Sequence, residues 1–257
     1  MGNFHLDRPR TRYMFEPIEG CAFGCPYCNA FTCSSDINSW DEWINPKIIQ
    51  VGTKDTIKEF NLLNKKPPIM LDFIFVCSTS DPFQSKESEE VVYKSLSILN
   101  NILKVSTRLL TKGIIPSWVK EFSNNAIGIT IDTTERLNNH RANGNINSLR
   151  SITESGIYTI ISLQPFDLSI TEKQLYEILE ELKFIRQINF GILDNAPLKD
   201  FKIGYYLSDI IANFCLDNKI NYFNGSPRFN KAIKKRLEKV FGKTKPIWYG
   251  DNIGASI

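Results

Sequence analysis

Apolar positions along this chain fall into two alternating kinds of run. Short β-branched or aromatic runs at residues 13–17, 71–77, 105–111, 126–132, 158–163 and 188–193 have the length and composition of strands. Longer segments with apolar residues at helical period lie at 46–64, 88–101, 116–122, 146–154, 171–185 and 203–218. The last two are the clearest: Leu175, Ile178, Leu179 and Leu182 recur at helical spacing, and Thr171-Glu-Lys-Gln174 opens that helix like a capping box.

Alternation of strand and helix predicts βα units around a parallel sheet. A complete eight-stranded barrel needs about 250 residues. Six units followed by an appendage suit 257 residues better. The expected fold is therefore α/β: a partial (β/α)6 TIM-like barrel over about residues 11–195, with a C-terminal extension over 196–257, in one domain. In such architectures the site gathers at the C-terminal ends of the strands.

Composition narrows the possibilities without naming a function. The hydrophobic share of 42% fills a core, while 23% charged residues and a net charge of +3 exclude a nucleic-acid-coating protein or a disordered tail. The basic N-terminus has no apolar stretch behind it, no apolar run reaches the length of a membrane span, and Gly2 is followed at position six by Leu6 rather than Ser or Thr. Basic residues over 231–245 recur at helical spacing around Ile233, Leu237, Val240 and Phe241, as in an amphipathic helix laid on the barrel.

Six cysteines change the picture more. Cys21, Cys25 and Cys28 crowd together, while Cys33, Cys77 and Cys215 are scattered. So tight a group suits a metal or redox site in a reducing compartment better than a disulfide framework, and the expected location is the cytoplasm.

The crowded cysteines form the loop Gly20-Cys21-Ala22-Phe23-Gly24-Cys25-Pro26-Tyr27-Cys28, directly after the first expected strand. Iron–sulfur clusters usually take four cysteines, so a C-x3-C-x2-C loop implies a [4Fe–4S] cluster with one iron left for an exchangeable ligand. Gly20 and Gly24 let the backbone curl around such a cluster, and Pro26 stiffens the turn. Two alternatives stay open: a zinc site with Cys33 as fourth ligand, and a four-cysteine electron-transfer cluster. Both would make the chain a non-catalytic metal-binding module.

This loop resembles the signature of the radical S-adenosylmethionine (SAM) superfamily. The surroundings are most similar to the spore photoproduct lyase-like branch, with Pro17, Gly20, Gly24, Tyr27 and Ala30 matching and Glu16, Ile18, Phe23 and Asn29 departing. Further along, Ser78-Thr79-Ser80-Asp81-Pro82-Phe83-Gln84 is similar to the branch's T-D-P-Y-Q run, and Thr111-Lys112 to its Thr-Lys pair. The stretch 145–156 resembles the branch's R-L-x-A-I-R helix, with Asn145 in place of the first arginine.

The resemblance implies an enzyme in which Cys21, Cys25 and Cys28 hold a [4Fe–4S] cluster whose free iron chelates SAM. An electron from the reduced cluster then cleaves SAM to methionine and a 5′-deoxyadenosyl radical, which abstracts hydrogen from substrate. It further implies that Tyr27 lines the adenine pocket, that Ser80 and its neighbour Ser78 receive the amino group, and that Lys112 pairs with the carboxylate. Thr130 and Gln164 stand where the family recruits contacts to the ribose or carboxylate. The lyase naming the branch returns hydrogen from a cysteine just before the Thr-Ser-Asp run; here Ser78 holds that place, and Cys77, one residue upstream, points to the opposite face of an extended chain. Cys77 is therefore expected as a buried thiol, with a role as hydrogen donor the lesser alternative. The missing basic face disfavours nucleic acid and lesion repair. Substrates that stay open are small molecules, nucleotides and proteins, with a flavodoxin- or ferredoxin-like electron donor and no membrane partner.

Overall fold

The computed structural model describes residues 4–6, 13–28, 30–31, 39–64, 73–191 and 198–224. Cys33, Asn29 and the basic segment 231–245 lie outside them. The chain divides into two compact units, one of residues 1–130 with 140–160, the other of 131–139 with 161–257.

The first unit is built on a sheet of strand order β1-β2-β5-β6-β7. These are β1 (Phe4–Leu6), β2 (Tyr13–Phe15), β5 (Ile74–Val76), β6 (Thr107–Thr111) and β7 (Asn125–Thr130). β1 runs antiparallel along the edge, and the others are parallel. Alternation explains the pairing: Phe15, Ile74, Val76, Leu109, Ile127 and Ile129 are buried, as are Thr107 and Thr111. Phe4 packs edge-on against Tyr13 and Phe15, which closes that margin of the sheet with aromatic rings.

A two-stranded ribbon stands apart from this sheet. In it β3 (Ile18–Glu19) pairs with β4 (Lys47–Ile48), aligning Ile18 with Ile48 and Glu19 with Lys47. Between them α1 (Trp40–Trp43) starts on Ser39, whose hydroxyl accepts from the Glu42 amide at 3.1 Å. The sequence predicts a single helix over 46–64, but β4 occupies its beginning and α2 (Thr53–Leu63) starts only after Gly52. Lys47 and Ile48 are exposed, so the period that reads as helical there had no core to serve.

The remaining helices of this unit are α3 (Lys86–Leu96), extended by a wider turn over Ser97–Ile102, a 3-10 turn (Ser117–Glu121) and α5 (Asn145–Glu154). Val92, Leu96 and Leu99 form one buried stripe, and Ile146, Leu149 and Ile152 another. The short helix α4 (Thr134–Ala142) precedes α5. No strand or helix was expected at β1, α1 or α4: two are only three or four residues long, and α4 is polar nearly throughout.

Strand β8 (Tyr158–Leu163) ends in the second unit, which continues with α6 (Glu172–Glu181), β9 (Gln187–Phe190), α7 (Leu198–Asp217) and β10 (Asn221–Asn224). The predicted capping box is present, with Thr171 and Gln174 satisfying each other's backbone. Leu175, Ile178, Leu179 and Leu182 are all buried, at roughly 2 kcal/mol apiece. β10 lies parallel to β9, Asn221 opposite Gln187. The extension after residue 195 thus begins with one more helix-to-strand repeat instead of leaving the α/β pattern. All six expected strands and the expected fold class are present. Among the described residues no helix is long and apolar enough to cross a membrane.

Candidate functional site

Three neighbouring parallel strands of the first unit, β2, β5 and β6, end on the same side, and the residues singled out in the sequence follow those ends. β2 leads through Glu16 into the cysteine loop, β5 into Cys77–Gln84, and β6 into Lys112.

The cysteine loop is held at its entrance and leans on α1. Gly20 has φ +89°, and a Cβ there would stand 2.5 Å from the Trp43 carbonyl oxygen, the group that accepts from the Cys21 amide at 2.8 Å. Only glycine allows both that left-handed backbone and that approach. Trp43 is buried beneath, packed with Trp40 around Phe31. The loop's own side chains are half-exposed, and the Gln84 amide oxygen accepts from the Ala22 amide inside the loop.

Each of the three thiols receives an N–H donor, which for Cys21 is the Phe23 amide. Lys112 Nζ lies 3.1 Å from Cys25 Sγ, and the Phe31 amide 3.5 Å from Cys28 Sγ. Burial pushes the Cys21 thiol up to about 12, with Asp81, Cys25 and Cys28 adding to the shift by their negative charge. The three sulfurs are therefore close enough to influence one another. Among the described residues, however, no three His, Cys, Asp or Glu side chains stand together as a finished metal-ligand set. The donor chemistry fits an iron–sulfur cluster: soft thiols on one loop, with N–H groups aimed at sulfur. Two buried polar atoms in the turn after β5 have no hydrogen-bond partner among the described residues: Gln84 Nε2, and Ser80 Oγ, which lies near the Cys77 thiol.

Lys112 is the centre of the polar arrangement. Besides Cys25, its ammonium donates to the Tyr27 hydroxyl at 2.8 Å and stands 4.7 Å from the centre of the Tyr27 ring. The two residues expected to bind opposite ends of SAM thus touch.

The turn after β5 is saturated with hydrogen bonds to two carboxylates. Asp81, itself buried, accepts from Thr111 Oγ1 at 2.7 Å, the Lys112 amide at 2.6 Å and the Phe83 amide at 2.9 Å. Burial raises its carboxyl above the ordinary range against the lowering effect of these donors. Glu16, only 7% exposed, accepts from the Ser78 amide at 2.8 Å, the Ser78 hydroxyl, the Thr79 amide at 3.5 Å and the Thr79 hydroxyl at 3.1 Å. Burial pushes Glu16 up to about 7, outweighing those four donors. Cys77 is buried at φ +57°, between these groups, and its thiol is raised by burial and then by the Glu16 charge. The burial of Cys77 is what the sequence led one to expect.

Thr130 ends β7, and its carbonyl oxygen is 3.3 Å from His140 Nε2. Gln164 belongs to the second unit, where Nε2 donates to the Phe190 carbonyl at 3.3 Å and its side chain covers Gly191. Sequence reasoning missed Glu16 and Asn145, which it noted only as departures from a pattern. A carboxyl at a buried strand end, four residues before a cysteine loop, was the available signal for Glu16.

No family model matches the chain. An uncharacterized protein of Methanocaldococcus jannaschii, MJ0683, is 24% identical over 211 residues, covering 76% of this chain and 75% of that protein. Among solved structures, spore photoproduct lyase complexed with dinucleoside spore photoproduct aligns with a TM-score of 0.52 at 13% identity, over 79% of this chain and 63% of that one. A mutant of the same lyase, with phenylalanine in place of a tyrosine, gives 0.59 at 12% identity, over 86% and 78%. Streptococcus suis SuiB bound to S-adenosylmethionine gives 0.50 at 9% identity, over 79% and 47%. The chain thus spans under two thirds of that lyase complex and under half of SuiB. At these identities the likeness is one of fold: the chain has the α/β fold of the radical SAM enzymes. Its fold is similar to that of spore photoproduct lyase, as the cysteine loop led one to expect.

Proposed function

We propose that this chain is a radical SAM enzyme, with Cys21, Cys25 and Cys28 as the ligands of a [4Fe–4S] cluster and the ends of β5 and β6 as the seat of SAM. The observation that carries this reading is the position of Lys112, whose ammonium reaches both Cys25 Sγ and the Tyr27 hydroxyl from the end of β6. A bound cluster and SAM would supply one-electron cleavage of the sulfonium, giving the 5′-deoxyadenosyl radical for hydrogen abstraction.

The chain's own residues have simpler tasks. Lys112 offers a fixed cation to a carboxylate that would otherwise face anionic sulfur. Tyr27, on the loop itself, offers a ring for adenine. Ser80 Oγ, buried near the Cys77 thiol, is suited to accept from the amino group, and Ser78 and Thr79 beside it are held by Glu16. Thr130 and Gln164 keep the roles the resemblance gives them, as contacts to the SAM ribose or carboxylate. A flavodoxin- or ferredoxin-like donor in the cytoplasm would reduce the cluster.

Spore photoproduct repair is the alternative within the class, since the fold is shared with that lyase. The buried Cys77 thiol is unsuited to giving hydrogen to a bulky lesion, so a substrate of another kind is favoured. Anaerobic reconstitution with iron and sulfide, reduction and addition of SAM tests the proposal. Release of 5′-deoxyadenosine is the expected result; a colourless protein that retains zinc would overturn it in favour of a structural metal module.

A further inference from the structure

The Lys112 turn is gripped by buried side chains that neither the cluster nor SAM needs to touch. On one side Asp81 accepts from the Lys112 amide and from Thr111 Oγ1, joining the end of β6 to the turn after β5. On the other, Asn145, only 1% exposed, donates from Nδ2 to the Gly113 carbonyl at 2.8 Å and accepts on Oδ1 from the Ile115 amide at 3.0 Å. The same Nδ2 lies 3.0 Å from His140 Nδ1, and the opposite ring nitrogen faces the Thr130 carbonyl. A neutral His140 with its proton on Nε2 satisfies both contacts. Gly113 completes the grip: its amide donates to Thr111 Oγ1 at 2.8 Å, and a Cβ there would lie 2.5 Å from the Phe83 carbonyl oxygen.

We infer that Asp81 and Asn145 are positioning residues that set Lys112 for the carboxylate of SAM, Asn145 together with His140 also tying the end of β6 to that of β7. This rests on the radical SAM reading above. A lysine carries several rotatable bonds, so its charge is useful to a ligand only if the backbone beneath it is immobile. Here the amide of Lys112 and the carbonyl of the next residue are both fixed by buried side chains, and the freedom left is that of the lysine stem. Asn145 stands where the lyase-like pattern has arginine.

Two measurements test the inference. In the protein without cluster, amide hydrogen exchange of residues 111–115 should be at least tenfold faster in Asp81→Asn and Asn145→Ala than in wild type, and unchanged in Lys112→Met. In the reconstituted protein Asn145→Ala should weaken SAM binding about tenfold while leaving the iron content intact. Added to Lys112→Met, it should weaken binding no further, because it acts only through the lysine. Rescue by Asn145→Asp, which keeps one acceptor for the Ile115 amide, should be partial. Unchanged exchange, or effects of Asn145→Ala and Lys112→Met that simply multiply, would overturn the inference alone. A wild-type protein that takes up its cluster but binds no SAM would instead overturn the proposed function. Should Asp81→Asn fail to fold, Asn145→Ala carries both measurements.

Discussion

The cysteine loop and the polar turns after β5 and β6 are neighbours built on opposite plans. Side chains of the loop are half-exposed, and among the described residues no three His, Cys, Asp or Glu side chains stand together as a ligand set. The turns are instead anchored on buried carboxyls, Asp81 and Glu16 between them accepting seven hydrogen bonds, although Ser78, Thr79 and Ile114 reach the surface. The difference has a physical logic. Metal–thiolate bonds are strong enough to draw a short loop into shape as they form. An organic ligand held by a few polar contacts cannot also order its own site, so that frame must exist beforehand. On the proposed reading, the chain would leave to the metal what the metal can organise and build in advance what SAM would need.

Removing a loop sulfur attacks the metal side of this contrast and has the largest effect. Cys25→Ala should abolish 5′-deoxyadenosine release, with iron and sulfide content after anaerobic reconstitution falling to background. The fold should survive with an unchanged circular dichroism spectrum, since the half-exposed thiol contributes little to the core.

Titration probes the built-in frame. Glu16 holds its proton up to about pH 7 in the folded protein, against 4.5 for its ordinary value. Folded protein thus binds a proton that the unfolded chain releases between those limits, and stability falls as pH rises through this window. The difference amounts to about 3 kcal/mol, present in full below pH 4.5 and lost above pH 7. Glu16→Gln, which mimics the protonated form, should match wild type near pH 4.5 and exceed it by about that amount at pH 8 in urea unfolding. Parallel curves at both pH values would show that Glu16 ionises freely.

Gly20→Ala sits where the two plans meet. Its Cβ would press on the Trp43 carbonyl at φ +89°, so the loop must shift, at roughly 2 kcal/mol. The expected result is a lower melting temperature together with a reduced yield of cluster, which would confirm that the loop's entrance is pre-set even if its thiols are not. Thr171→Ala is the counterpart in the second unit. Loss of its capping box should lower stability by about 1 kcal/mol and leave iron content and SAM binding unchanged.

Much of this arrangement was legible beforehand, for unequal reasons. The six expected strands declared themselves as short β-branched or aromatic runs, β8 and β9 being buried on nearly every residue, and helix α6 declared itself because it buries one regular face. The cysteine loop was legible because metal ligands must be particular residues at particular spacings. Short elements such as α1 and β4 were not, since four residues or two contain no period. Lys112 was found through resemblance to a known pattern, while Asn145 and Glu16 were passed over because they departed from that pattern.

What the sequence determined unaided was the chemistry on offer: three thiols on one loop, a lysine and hydroxyls at strand ends, and an alternation that commits the chain to parallel βα units. Only the tertiary structure decided how these groups are held. Strand register set β2, β5 and β6 side by side, so that residues 16, 78, 81 and 112 meet although up to about a hundred positions separate them. Hydrogen bonds between such distant residues depend on packing in three dimensions, and no local spacing along the chain encodes them.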